Sequence, residues 1–299
     1  MADKMQELLA RRPLHPFTVE LSREQVTEFW EQGFTRLARV TTDEEIVWLR
    51  EVYDLLFSGE LELAPLQFSV GGTLRPADRG GPPTSQLLYP ESICPELRDT
   101  VFYRNTNVIA RQLLGEARPL SGWGHMVSKA AGTKEIIYWH QDEAYWDPRR
   151  DQEGVSCWMA LDPATMESGA MSFIPGSHNG PLLKHGFPGD DPAVTALMLK
   201  EEIDTAPAVP WPVPVGGLSI HHNRTLHASG PNLTAKVRRA FVIVWSPPAV
   251  TREVPYDRPW YWQKIAWINR MKAQAWAVSE SMSTHGGYAG IPHTMKSKP

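Results

Sequence analysis

Cysteine is nearly missing from this chain. Two occur in 299 residues, Cys94 and Cys157, too few for a disulfide framework and in keeping with a reducing compartment. Long apolar runs are missing too. Nothing approaches the roughly 20 consecutive apolar residues of a membrane span. The opening stretch MADKMQELLARRPLHP scatters charges among its apolar residues, unlike a signal peptide. A cytoplasmic protein without membrane contact is the expectation. Positive charge is not in excess either: 30 Lys and Arg stand against 34 Asp and Glu, a formal net charge of -4. The electrostatic footprint of a nucleic-acid binder is therefore lacking. Internal repeats and low-complexity tracts are absent.

Proline and tryptophan are plentiful, with 26 and 12 residues. So many prolines argue for a fold rich in loops and strands rather than a helical bundle. The tryptophans serve equally well as core aromatics or as walls of an apolar pocket.

Local signals divide the chain. Ser22, with Gln25 three residues on, forms a capping-box pattern, and Gly33 ends the helix that follows. Thr42 caps a second helix whose apolar stripe is Ile46, Leu49, Val52, Leu55 and Leu56. Pro95 to Leu114 reads as a third helix, stopped by Gly115. Between them, residues 60–90 form a Pro- and Gly-rich stretch with the character of a lid or a surface connection.

From Ser121 the hydrophobic period drops to two. It predicts strands over 123–128, 135–142, 155–161, 170–174, 217–222 and 238–245, besides a weak one over Phe34–Val40. Residues 180–215 are a long excursion, with Asp190-Asp191-Pro192 opening a short helix before the Pro-rich exit PAVPWPVP. A Trp-rich tail, Arg258–Lys272, reads as a helix against the core or a partner subunit. The expectation is a mainly β, single-domain jelly roll with flanking helices: 1–120 helical flank and loop, 121–250 core, 251–299 tail.

One short segment carries chemistry. Tyr138-Trp139-His140-Gln141-Asp142 ends a predicted strand, and strand alternation points His140 and Asp142 the same way. One imidazole and one carboxylate need one more histidine for a 2-His-1-carboxylate triad, which leaves positions open on Fe(II). His227, just past a predicted strand and before a turn, is the favoured third ligand. His221 and His222 are rivals, of which strand alternation lets only one face inward; His178 and His125 are further candidates. Arg238-Arg239 opens the apolar strand Ala-Phe-Val-Ile-Val-Trp. An arginine buried there needs an anion, and a dicarboxylate cosubstrate would supply one. Arg238 shares the less bulky face with Ala240 and Val242, whereas Arg239 lies with Phe241 and Ile243.

These residues resemble the phytanoyl-CoA dioxygenase family of Fe(II)/2-oxoglutarate oxygenases. The resemblance covers roughly Trp123 to Trp245. It rests on His140-Gln141-Asp142, on Trp158-Met159-Ala160-Leu161-Asp162, on Gly169-Ala170-Met171-Ser172-Phe173-Ile174-Pro175-Gly176-Ser177-His178, and on His227-Ala228-Ser229-Gly230-Pro231-Asn232 followed by Arg238. The spacing of His227 and Arg238, 238 − 227 = 11, is similar to that of the family and selects Arg238 over Arg239.

The resemblance implies a double-stranded β-helix with iron held by His140, Asp142 and His227. It implies a 2-oxoglutarate cosubstrate whose far carboxylate pairs with Arg238 and accepts a hydrogen bond from Ser229. Trp158 would wall the cosubstrate pocket, and Gln141, Met126 and Lys129 would touch the cosubstrate. Tyr145 and Trp146 would line the substrate pocket. With O2 as oxidant, the implied reaction is hydroxylation of an unactivated C–H bond of a small-molecule metabolite, giving succinate and CO2. Related halogenases have a small residue where this chain has Asp142, which favours hydroxylation or desaturation. Desaturation, epimerisation or cyclisation at the same iron is the sister outcome. A non-catalytic jelly roll that binds a metal or small acid is the alternative of another class. Arg75, Arg79, Lys184 and His185 are candidate anion contacts in the two long loops, with solvated charge as their bland reading. Monomer and homodimer are both compatible with the chain.

Overall fold

A computed structural model describes residues 2–14, 16–58, 67–69 and 84–270. Most of the stretch expected to act as a lid, with Arg75 and Arg79 in it, lies outside the described residues, as do residues 271–299. Four helices lie before or among the first four strands of the β core: α1 (Ala2–Ala10), α2 (Arg23–Gln32), α3 (Asp43–Phe57) and α4 (Val101–Leu114). The capping signals sit where the sequence placed them. Ser22 and Gln25 close a reciprocal capping box on α2, and Gly33 ends that helix in the left-handed region at φ 89°. Thr42 caps α3 through the Glu45 N–H.

The third helix begins later than its sequence suggests. Pro95–Asp99 is a separate 3-10 turn, and Thr100 is extended at ψ 154°. The Thr100 hydroxyl accepts from the Tyr103 N–H. The Glu45 carboxylate accepts from Val101 N at 2.6 Å and Phe102 N at 2.8 Å. A buried acid from one helix thereby satisfies the orphan donors of another, and its charge complements that helix dipole.

Eleven strands build the core. They are β1 (Phe34–Leu37), β2 (Gln67–Ser69), β3 (Thr84–Leu88), β4 (Ser121–Lys129), β5 (Ile137–His140), β6 (Val155–Ala160), β7 (Met171–Phe173), β8 (Val209–Trp211), β9 (Leu218–His222), β10 (His227–Ser229) and β11 (Arg238–Ser246). All pairings within the two core sheets are antiparallel. The larger sheet runs β1-β9-β6-β11-β4-β3-β2 and the smaller β8-β7-β10-β5. This is the double-stranded β-helix, mainly β with helices on one side.

Strand alternation sorts the side chains of the larger sheet into two cores. Met126, Met159, Ile220, Phe241 and Ile243 face the helices and pack with Phe29, Leu49, Val52 and Phe102. Val127, Trp158, Ala160, Ala240, Val242 and Val244 face the smaller sheet and pack with Met171, Phe173 and Trp211.

Some boundaries differ from expectation. The strand expected over 135–142 stops at His140, because Asp142–Tyr145 curls into a 3-10 turn. The helix expected after Asp190 is not formed; Pro188–Asp190 is a 3-10 turn interrupted by Gly189 at φ 64°. The excursion 180–215 instead contains the short pair His185–Gly186 with Met198–Leu199, and then β8. The tail is helical over residues 259–270. Among the described residues, no helix is long and apolar enough to cross a membrane.

Glu45 joins two helices, so Glu45→Ala leaves two buried N–H groups unpaired. It is expected to cost about 3 kcal/mol of folding stability, read by chemical denaturation.

Candidate active site

His140 ends β5 and His227 begins β10, and the two are direct partners across the smaller sheet. Gln141 between His140 and Asp142 stays extended, at φ -120° and ψ 132°. Alternation therefore survives for one residue beyond the strand and keeps the Asp142 side chain beside that of His140. The Nε2 atoms of His140 and His227 each lie 3.6 Å from Asp142 Oδ1. Donor atoms of the three residues fall within 4.8 Å of one another. Two donors bound at right angles to one ion at ordinary bond lengths are about 3 Å apart, so the cluster has the size of a coordination sphere.

Each ring is oriented from behind. His140 Nδ1 donates to the Tyr138 carbonyl at 2.7 Å and His227 Nδ1 to that of Thr225 at 2.9 Å. This fixes the tautomer that leaves Nε2 as a free lone pair. Asp142 Oδ2 accepts from Ser156 Oγ at 2.7 Å and His221 Nε2 at 3.1 Å. Burial would raise the Asp142 carboxyl, but the surrounding imidazoles, His227 foremost, outweigh it and hold it well below the usual carboxylate range. Burial, reinforced by His140, pushes the His227 imidazole well below its ordinary value. An ionised acid and a neutral imidazole are the protonation states a metal requires.

The two adjacent arginines meet opposite fates. Arg239 is ion-paired with Asp162 at 2.8 Å and Asp54 at 2.7 Å on the helix side. Arg238 points into the barrel and is 2% exposed. Its Nε and Nη2 have no hydrogen-bond partner. Its guanidinium lies 5.2 Å from the Trp158 ring centroid, and burial pulls it down to about 10. A buried, under-satisfied guanidinium fits the carboxylate of a ligand.

Lys129 stands opposite Arg238 in register. Its Nζ donates to Ser229 Oγ at 3.0 Å and to the Ser229 and Gly230 carbonyls. Ser229 Oγ in turn donates to the Gly169 carbonyl at 2.7 Å. Burial, with Arg238 adding to it, lowers Lys129 to about 7. Arg238, Lys129, Trp158 and Ser229 are thus brought together.

The remaining candidates divide between the surroundings of this cluster and other faces of the fold. Met126 faces the helices, one strand position out of phase with Lys129. The Gln141 side chain turns outward to receive Leu183 N and to donate to the Arg224 and Pro181 carbonyls. Tyr145 is 43% exposed, with its ring edge-on to His140 at 5.9 Å. Trp146 packs against the inner core. His178 is buried with Nε2 hydrogen-bonded to the Trp30 carbonyl, and His222 packs against His178 and Trp30. His221 faces inward, as a partner of Asp142. His125 lies on the same sheet face as Val127, with Nδ1 unpartnered. His185 is buried against Gln141 N, and Lys184 is exposed. Ser156 had no sequence signal; its role depends on the pairing of distant strands.

Comparison with known proteins agrees with the geometry. The sequence profile of the phytanoyl-CoA dioxygenase (PhyH) family matches residues 29–240. The chain belongs to the phytanoyl-CoA dioxygenase family. A probable alpha-ketoglutarate-dependent hypophosphite dioxygenase of Stutzerimonas stutzeri is 27% identical over 229 residues, 74% of this chain and 77% of that protein. Phytanoyl-CoA dioxygenase domain-containing protein 1 of Bos taurus is 30% identical over 131 residues, 39% of this chain and 45% of that protein. Among solved structures, EvdO2 from Micromonospora carbonacea var. aurantiaca, crystallised with 2-oxoglutarate, superposes with a TM-score of 0.71 at 35% identity. It covers 82% of this chain and 99% of that one. The protein is an iron- and 2-oxoglutarate-dependent dioxygenase.

Arg238→Ala is expected to weaken 2-oxoglutarate binding roughly 100-fold in anaerobic titrations. Arg239→Ala, which breaks only the outward ion pairs, is expected to lower stability while leaving that affinity within a few-fold of wild type.

Proposed function

We propose that this protein holds Fe(II) through His140, Asp142 and His227 and hydroxylates an unactivated C–H bond of a small-molecule metabolite. The observation that carries this reading is a three-donor cluster in the same barrel as a buried guanidinium with unsatisfied donors. The pair matches a metal and a dicarboxylate, and nothing in the fold itself calls for either.

With iron and 2-oxoglutarate bound, the chemistry supplied is O2 activation coupled to decarboxylation to succinate and CO2. The residues of the chain do the rest. Arg238 receives the far carboxylate, with Trp158 as the wall beside it and Ser229 and Lys129 as the polar floor. Ser156 and His221 hold the Asp142 carboxylate so that one oxygen stays turned toward the imidazoles. Phe173, Val242 and Trp158 keep the interior dry, which protects a reactive oxidant from water. Tyr145, exposed yet against His140, and Trp146 stand where a substrate would approach, and both suit one with apolar surface. Asp142 retains the carboxylate ligand, which supports oxygen insertion or desaturation over halogenation. The whole chain is read as one oxygenase domain.

A substrate screen that reads succinate release tests this reading. Turnover is expected only with Fe(II) and 2-oxoglutarate both present, and product mass separates oxygen insertion from loss of hydrogen. His140→Ala and Asp142→Ala are each expected to abolish iron-dependent succinate formation. Activity that survived in Asp142→Ala would contradict the ligand assignment.

A further inference from the structure

The residue that carries the carboxylate ligand stands on weak ground of its own. Asp142–Tyr145 is a single 3-10 turn, outside the pairing of both sheets. Such a turn makes few internal hydrogen bonds, and its carbonyls need outside partners.

Those partners come from the segment that follows the last core strand. Arg258 Nη1 donates to the carbonyls of Glu143 at 2.8 Å and Trp146 at 3.1 Å. Trp260 Nε1 donates to the Ala144 carbonyl at 2.8 Å. Arg258 Nη2 also donates to Glu143 Oε1 at 2.7 Å. Glu143 Oε2 accepts from Arg224 Nε at 2.9 Å and Asn223 Nδ2 at 3.1 Å. Arg258 is 2% exposed and Glu143 4%, so this is a buried ion pair directly behind Asp142. One planar fork reads a carboxylate and two carbonyls at once, which an ammonium cannot copy.

We propose that Arg258 is a positioning residue for the iron site. Through Glu143 it sets the turn, and through the turn it sets the direction of the Asp142 carboxylate. The inference rests on the reading of His140, Asp142 and His227 as iron ligands. Arg258 lies beyond residue 240, where the family match ends. The same tail makes a second, separable contact: Lys264 Nζ donates to the carbonyls of Pro192 at 2.8 Å and Val194 at 2.9 Å. That contact grips the long excursion, which meets the ligand turn at Tyr145, whose Oη accepts from Leu197 N at 2.8 Å, and not at Glu143.

The test is anaerobic titration of the full-length protein with Co(II), with the visible ligand-field spectrum as the second readout, below the melting temperature of every variant. Arg258→Ala is expected to bind Co(II) roughly 10- to 100-fold more weakly, the usual effect of losing a residue that orients a ligand. Its ligand-field bands should change. Arg258→Lys, which keeps the charge and not the fork, should show the same defect, and it decides the matter if Arg258→Ala does not fold. Lys264→Ala should bind like wild type. Folded Arg258 variants with wild-type affinity and spectrum would overturn the proposal. So would an equal loss in Lys264→Ala, since the tail would then act through general stability alone. Wild-type protein that fails to bind Co(II) would instead sink the ligand assignment on which the inference depends.

Discussion

The register of two short strands decides whether this protein has a metal centre. β10 meets β5 with His227 opposite His140, and neighbouring strands are about 4.8 Å apart. Two imidazoles brought together this way need only one acid to complete a coordination face. A slip of one residue would turn His227 to the other side of the sheet and leave His140 alone. Register is held on both edges of β10, since β7 pairs with it as well. Lys129 ties the end of the strand through the Ser229 and Gly230 carbonyls.

Charge is allocated with the same economy. Three consecutive acidic or polar positions after the β5 strand face in alternate directions: Gln141 outward to the loop at 181–183, Asp142 inward, Glu143 outward to two arginines. Each carries a different duty on one backbone. Arg238 and Arg239 repeat the arrangement on β11, one serving the interior and the other the helix layer.

Much of this was legible in the sequence, for local reasons. Ser22, Thr42 and Gly33 act within a few residues of themselves, so the caps could be read directly. Period-two runs showed the long strands. His-x-Asp was legible because one extended residue keeps two side chains together. What escaped depends on partners far away. β10 has three residues, too few for a period to show. β8 hides Pro210 inside a proline-rich tract; it is tolerated there because β8 is an edge strand and one side needs no N–H. Thr100 and Glu45 divide a seemingly continuous helix through a contact 56 residues apart in sequence. The resemblance points Gln141 and Met126 at the cosubstrate, whereas backbone alternation turns both side chains away from the His140–Asp142–His227 cluster. Arg258 meets Glu143 across 115 residues, and no pattern near either one announces the other.

The lonely guanidinium of Arg238 has a bearing on folding itself. In the unfolded chain that group is hydrated. In the folded chain it is buried over an indole, with Lys129 near it and with Nε and Nη2 unpartnered. On the proposed reading of Arg238, a dianion bound there offsets part of the cost of burying that charge. On the same reading, cosubstrate binding and folding stability are coupled through one side chain, because a ligand that binds only the native form stabilises it.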